Sequence, residues 1–279
     1  MKIMSSKTEH AFWEQRQNNI VSTKGGWLVG KGVFCHGYSM LDDLVGQCSY
    51  MQVVVLNATG RLPERRLADW LEAVYICLSW PDPRIWCNQI GALGGTAQAS
   101  AVAATCAGVL ASDSRAYGPR TLLDGVNFIQ QALQDQHRGL TVKQIIDKAP
   151  RHKGRPAITG YARPLAKGDE RIPALERVTQ QLGFMRGEHL TLAYQIEAML
   201  RDKYDESMNI NGFMSAFLLD QGYQADEIYQ LFVTLVSSGV TACFVDTHQQ
   251  PPESFLPLKC GDINYQGKPP REVPLKPKL

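Results

Sequence analysis

Apolar residues recur at helical spacing along most of the chain. Leu67, Trp70, Leu71, Val74 and Leu78 line one face of a helix, and Pro63 stands ahead of them near its start. Ile228, Leu231, Phe232 and Leu235 repeat the pattern, with Asp226 as cap and Gly239 as stop. Leu192, Ile196, Met199 and Leu200 make a third stripe. Phe213, Ala216 and Phe217 belong to a short helix that Gly222 ends. No internal repeat is visible.

Four segments depart from that period. Ala92 to Ala111 is rich in Ala, Gly, Thr and Ser and nearly uncharged. It predicts a buried helix at a tight helix–helix contact, either between subunits or within the core of one. Val53-Val54-Val55-Leu56 is β-branched and reads as a strand on propensity alone. Trp27 to Phe34 predicts two short strands around a glycine turn. Gly139 to Thr159, with Pro150, Gly154 and Pro156 among His and Arg, predicts a loop or an interlobe connector.

Composition narrows the class. The 279 residues are 44% hydrophobic and 20% charged, which is enough for one large core or two lobes. A formal net charge of +2 argues against broad nucleic-acid binding, and the Pro-rich basic tail from Lys268 to Lys278 reads as a solvated extension. No apolar run is long enough to span a membrane. Met1-Lys2-Ile3-Met4 passes at once into polar residues, so no signal-peptide core is expected. The 7 cysteines are widely spaced without a Cys-x-x-Cys pair, so no metal site is expected. Reduced thiols in a cytoplasm fit best.

The run Gly160-Tyr161-Ala162-Arg163-Pro164-Leu165-Ala166-Lys167-Gly168-Asp169-Glu170-Arg171 resembles a motif of citrate synthases and citryl-CoA lyases. There a Gly-rich turn leads to a catalytic His and then to Asp-Pro-Arg. Other landmarks follow in the family's order from about residue 33 to residue 273: His36-Gly37-Tyr38 with Asp43-Leu44, Gly60-Arg61-Leu62-Pro63, Gly118-Pro119, Asn209-Ile210-Asn211-Gly212, and Tyr265-Gln266-Gly267 through Arg271. The resemblance implies an all-α, dimeric chain with a large and a smaller helical lobe. It places an N-terminal extension at 1–32, a large domain at 33–124 and 206–279, and a small domain at 125–205. It also places Val53 to Leu56 in a helix, against propensity.

The family's chemistry enolises an acyl-CoA thioester. A carboxylate removes the α-proton, one His stabilises the enol oxygen, a second polarises a ketone, and arginines hold carboxylates. All three catalytic positions differ here. The base falls on Asn211, whose amide accepts no proton near neutral pH. The enol-stabilising position falls on Thr121. The ketone-polarising position falls on Arg163, which is permanently charged and cannot shuttle a proton. Citrate synthase activity itself is therefore not expected. The resemblance carries Arg171 over as a carboxylate-binding residue and puts Trp80, Asp82 and Arg84 near the substrate. It implies main-chain recognition of coenzyme A or an acyl-CoA at Gly160 and Tyr161, with Arg155, Lys167 and Lys153 as basic neighbours. No tightly bound cofactor is implied.

Each position has a plainer alternative. Asn211 can cap or pack a helix. Arg163 can form a surface ion pair, and Arg171 can pair with Asp169. Trp80 and Trp86 can pack at an interface or in the core. Asp246 and His248 form an acid–base pair only if extended. Three functional readings follow: a divergent enzyme making or breaking a carbon–carbon bond beside an acyl-CoA thioester; a pseudoenzyme acting as ligand sensor or non-catalytic partner subunit; and a hydrolase or isomerase using Cys87 or Cys243.

Overall fold

The computed structural model describes residues 6–162 and 168–273, with side chains from residue 10 onward. Helix α1 (Ser6–Glu14) leads to a three-stranded antiparallel sheet of β1 (Gly25–Leu28), β2 (Gly32–Cys35) and β3 (Tyr38–Ser39). Trp27 lies opposite Val33, as the glycine turn predicts, and the expected 32/33 domain boundary falls inside this hairpin.

After a π-helical turn at Met40–Leu44 comes α2 (Tyr50–Thr59). The Ser49 hydroxyl accepts from the Gln52 N–H, and the Gln52 side chain accepts from the Ser49 N–H. This capping box, together with full burial of Val55 and Leu56, outweighs the β propensity of Val53 to Leu56. Helix α3 (Arg65–Cys77) carries the predicted stripe, with Trp70 and Val74 fully buried.

The segment from Ala92 to Ala111 is not one helix. It divides into α4 (Trp86–Thr96) and α5 (Ala101–Ser112). Gln98 takes the left-handed conformation at φ +56, and Ser100 starts α5 by accepting from the Ala103 N–H. Of the two, α4 is the more buried, whereas α5 exposes Val102, Cys106 and Leu110. Helix α6 (Pro119–His137) runs unbroken across the expected 124/125 boundary.

The stretch from Gly139 to Thr159 is structured, contrary to expectation. It holds α7 (Val142–Lys148) and a hairpin of β4 (Arg151–His152) with β5 (Arg155–Pro156). Thr141 and Gln144 form a second capping box that the turn-rich composition conceals.

Helices α8 (Arg171–Gln181), α9 (Glu188–Tyr204), α10 (Ile210–Asp220), α11 (Ala225–Leu231) and α12 (Ser237–His248) complete the fold. Gln224 caps α11, not Asp226, and turns at 232–236 separate it from α12. Gly239 lies inside α12 and stops nothing. A Cβ there would sit 3.0 Å from the Trp80 carbonyl and crowd Asn88, so the position serves close packing.

Helix α10 is apolar all round, and every residue from Gly212 to Leu219 is buried. Trp70 stacks on Phe217 with ring centroids 3.9 Å apart, and its indole N–H donates to Thr179 Oγ1 at 2.8 Å. A second packing centre joins α4, α5 and α12. A Cβ on Gly91 would lie 2.6 Å from the Val240 carbonyl, and one on Gly108 2.7 Å from that of Cys87.

Candidate functional site

The glycine-rich turn at Gly160 and the Asn209-Ile210-Asn211-Gly212 turn meet at the N-terminus of α10. Asn209 caps that helix, its Oδ1 accepting from the Asn211 N–H at 2.9 Å and the Gly212 N–H at 3.4 Å. Asn209 also donates from Nδ2 to the Ala162 carbonyl at 2.6 Å, and its own N–H donates to the Gly160 carbonyl at 2.8 Å. Gly160 sits at φ +100, and a Cβ there would lie 2.9 Å from the Gly212 Cα. The glycine-rich turn is thus pressed directly onto the start of α10, and both glycines are needed for the approach.

Thr121 on α6 and Asn211 on α10 meet. Asn211 Nδ2 donates to Thr121 Oγ1 at 3.4 Å, and Thr121 Oγ1 donates to the Gly118 carbonyl at 2.9 Å. Asn211 Oδ1 accepts from Ser215 Oγ at 3.2 Å. Gly125 leaves room for this amide, since a Cβ there would fall 2.2 Å from Asn211 Oδ1. The amide is held at both ends by neighbours that carry no titratable proton at neutral pH. Ser215 is absent from the sequence reading, although its spacing of four from Asn211 puts both on one helix face.

A charged pair lies beside this network. The Asp169 side chain is fully buried and that of Arg171 is 20% exposed. Asp169 Oδ1 accepts from Arg171 Nε at 2.7 Å and from its backbone N–H at 3.2 Å. Oδ2 accepts from Arg171 Nη2 at 2.6 Å and from the Ile210 N–H at 2.8 Å. Burial alone would push the Asp169 carboxyl up. The hydrogen bonds and charge of Arg171, with the Ile210 N–H, outweigh it and hold the group below the usual carboxylate range. The Arg171 charge also reaches Cys77 and Tyr117, whose acidities burial otherwise weakens; the Tyr117 phenol is pushed up to about 12.

The other candidates are dispersed. The Tyr161 ring is buried and its hydroxyl donates to the Ala193 carbonyl at 3.1 Å, so that side chain belongs to the core. Arg155 donates to the Tyr204 carbonyl at 3.3 Å and lies 3.8 Å from Glu206. Tyr204 in turn lines a groove of about 420 Å³ with Lys143 and Lys203. Lys153 is exposed at the hairpin turn. Arg163 and Lys167 lie outside the described residues.

Asp82 and Arg84 pair with each other at 2.6 Å, the arginine 82% exposed. Trp80 and Trp86 are both exposed, so neither packs in the core. Asp246 and His248 lie on α12, where a spacing of two sends them to different sides, and His248 stacks on Phe244. Cys87 and Cys243 are buried, and burial pushes the Cys87 thiol up to about 11. Among the described residues, no group of three or more His, Cys, Asp or Glu could hold a metal ion.

No protein-family model matches the chain, and no curated protein matches it. Solved structures do. The citryl-CoA lyase of Hydrogenobacter thermophilus superposes with a TM-score of 0.76 at 23% identity, over 91% of this chain and 97% of that one. The fold is citrate synthase-like. ATP citrate lyase from Methanothrix soehngenii, in complex with citrate and coenzyme A, gives a TM-score of 0.74 at 18% identity. It matches 99% of this chain, which spans 46% of its length. A citrate synthase from the archaeon Thermoplasma acidophilum, complexed with carboxymethyl coenzyme A, gives 0.58 at 14% identity, over 81% of this chain and 58% of that one. The likeness to these structures is therefore one of fold, and within it Thr121 and Asn211 stand side by side.

Proposed function

We propose that this chain binds coenzyme A or an acyl-CoA without enolising it, acting as a ligand sensor or as the non-catalytic partner of an active subunit. The closed Thr121–Asn211–Ser215 network carries the reading. Enolisation needs a group that accepts the α-proton at neutral pH, and an amide does not. The nearby Asp169 is committed to Arg171 and Ile210, which makes it a poor proton acceptor. The buried, weakly acidic thiols of Cys87 and Cys243 argue against a cysteine nucleophile.

Recognition survives more readily than catalysis. The turn at Gly160 offers main-chain groups, Arg171 offers a guanidinium for a carboxylate, and Arg155 with Lys153 offers positive charge for phosphate. Arg163 and Lys167, by their place in the motif, belong to the same site. Trp80, Asp82 and Arg84 stay as residues of a more distant rim. The two-lobe division and a homodimer accompany this reading. A rebuilt carbon–carbon bond enzyme is the second reading, favoured by the retained Asp169–Arg171 fork.

Calorimetry with coenzyme A and acetyl-CoA, paired with deuterium exchange at the acetyl α-carbon, tests the proposal. Binding without exchange is the expected result. Absence of binding to either compound sinks it, and exchange above background moves the assignment to the enzyme reading.

A further inference from the structure

The Asp169–Arg171 pair does more than neutralise a buried charge. Asp169 takes the Nε/Nη2 edge of the guanidinium with both oxygens, at 2.7 and 2.6 Å, and fixes the plane of the fork. Among the described residues no acceptor takes the Nη1 edge, in a side chain that is 20% exposed. The same carboxylate accepts from the Ile210 N–H at 2.8 Å, at the first turn of the helix that presents Asn211. Asp169 is thus bonded at once to the anion-binding side chain and to the backbone of the Asn211 turn.

We infer that Asp169 is a positioning residue: it aims the free edge of Arg171 at a ligand carboxylate and keeps that edge in register with the Asn211–Thr121 network. This rests on the reading that Arg171 receives a ligand carboxylate. The recognition is geometric more than coulombic. Asp169 offsets the charge of Arg171, so the directional part of the recognition comes from the fork's two parallel N–H donors. A point charge at the same place cannot satisfy the buried Asp169 and a bidentate ligand together.

Titration of the full chain with citrate tests the inference, with coenzyme A as a parallel probe. The expected result is citrate binding by the natural protein, weakened about tenfold or more in Asp169→Asn. An asparagine keeps the size and can still accept from Ile210, but its NH₂ group faces one of the guanidinium N–H donors. Arg171→Lys is expected to weaken citrate to a similar degree although the charge is kept. Both variants should keep the helix content of the natural protein.

Unchanged citrate affinity in folded Asp169→Asn overturns the inference and leaves Asp169 purely structural. Full citrate affinity in Arg171→Lys overturns it too, because a point charge would then suffice; this arm stands even if the Asp169 variant does not fold. Failure of the natural protein to bind citrate at millimolar concentration has the same consequence. Failure to bind coenzyme A, with the citrate results as expected, sinks the functional reading and leaves the clamp intact.

Discussion

At Asn211 a single amide carries the proposed reading. Its Nδ2 faces Thr121 and its Oδ1 faces Ser215, so changing it to a carboxylate alters one contact and keeps the other. Asn211→Asp is expected to fold, because the Thr121 hydroxyl can turn from the Gly118 carbonyl to donate to the new oxygen. Acyl-CoA α-proton exchange should stay at background in this variant, since no enol-stabilising imidazole stands at position 121. Mass spectrometry of acetyl-CoA held in heavy water reads this, and rapid exchange would contradict it. Asp169 gives a second prediction. Its folded-state acidity is raised, so its stabilising effect is present above the ordinary carboxylate value of about 3.9 and is lost as pH falls through the lower folded value. Natural protein should therefore lose stability on acidification more steeply than Asp169→Asn, as urea melts from neutral pH to about 3 would show. The motif order had already put Thr121 and Asn211 in one site, and the structure brings them within hydrogen-bond reach. The part played by Ser215 and Ile210 was not legible, because it depends on which way side chains and backbone N–H groups point.

Among the elements, the cap of α10 does most to assemble the site. Asn209 serves two roles, holding the first N–H groups of the helix and tying the Gly160–Ala162 turn through Nδ2. Asn209→Ala should cost about 1 kcal/mol for the cap, and somewhat more because the Ala162 carbonyl loses its donor. Denaturant melts would measure it, and a variant as stable as the parent would show the cap to be idle. The elements also show where periodicity misleads. Local capping at Ser49 and tertiary burial turned a β-branched run into α2, and only the family resemblance anticipated that. The Ala-rich segment broke at Gln98, which no breaker residue announced, since Gly94 and Gly95 lie inside a helix for packing reasons. The stripe from Ile228 to Leu235 spans one helix and a following turn because apolar turn residues pack into the same core.

Taken whole, the molecule leaves an apolar surface on one packed set of helices. Helix α5 exposes Val102 at 73% and Leu110 at 77%, with Ala103, Cys106 and Ala107 on its outer side. The helices packed against it, α4 and α12, also expose Trp86, Leu93 and Val245. Exposed apolar surface gathered in this way marks an interface more often than a solvated wall. The small side chains would let a second α5 approach closely, and the sequence already allowed a contact between subunits here. A proposed homodimer across this face makes a definite prediction. In a two-fold interface each substituted residue acts twice, once from each copy, so a new charge must be desolvated in both. Leu110→Glu and Val102→Glu should therefore give monomers in sedimentation experiments at micromolar concentration, with helix content unchanged because both residues are solvent-facing in the single chain. The natural protein should sediment as a dimer, and its melting temperature should rise with concentration as mass action requires. A natural protein that stays monomeric across that range would leave the α5 face without a partner copy and would remove the dimer from the functional reading.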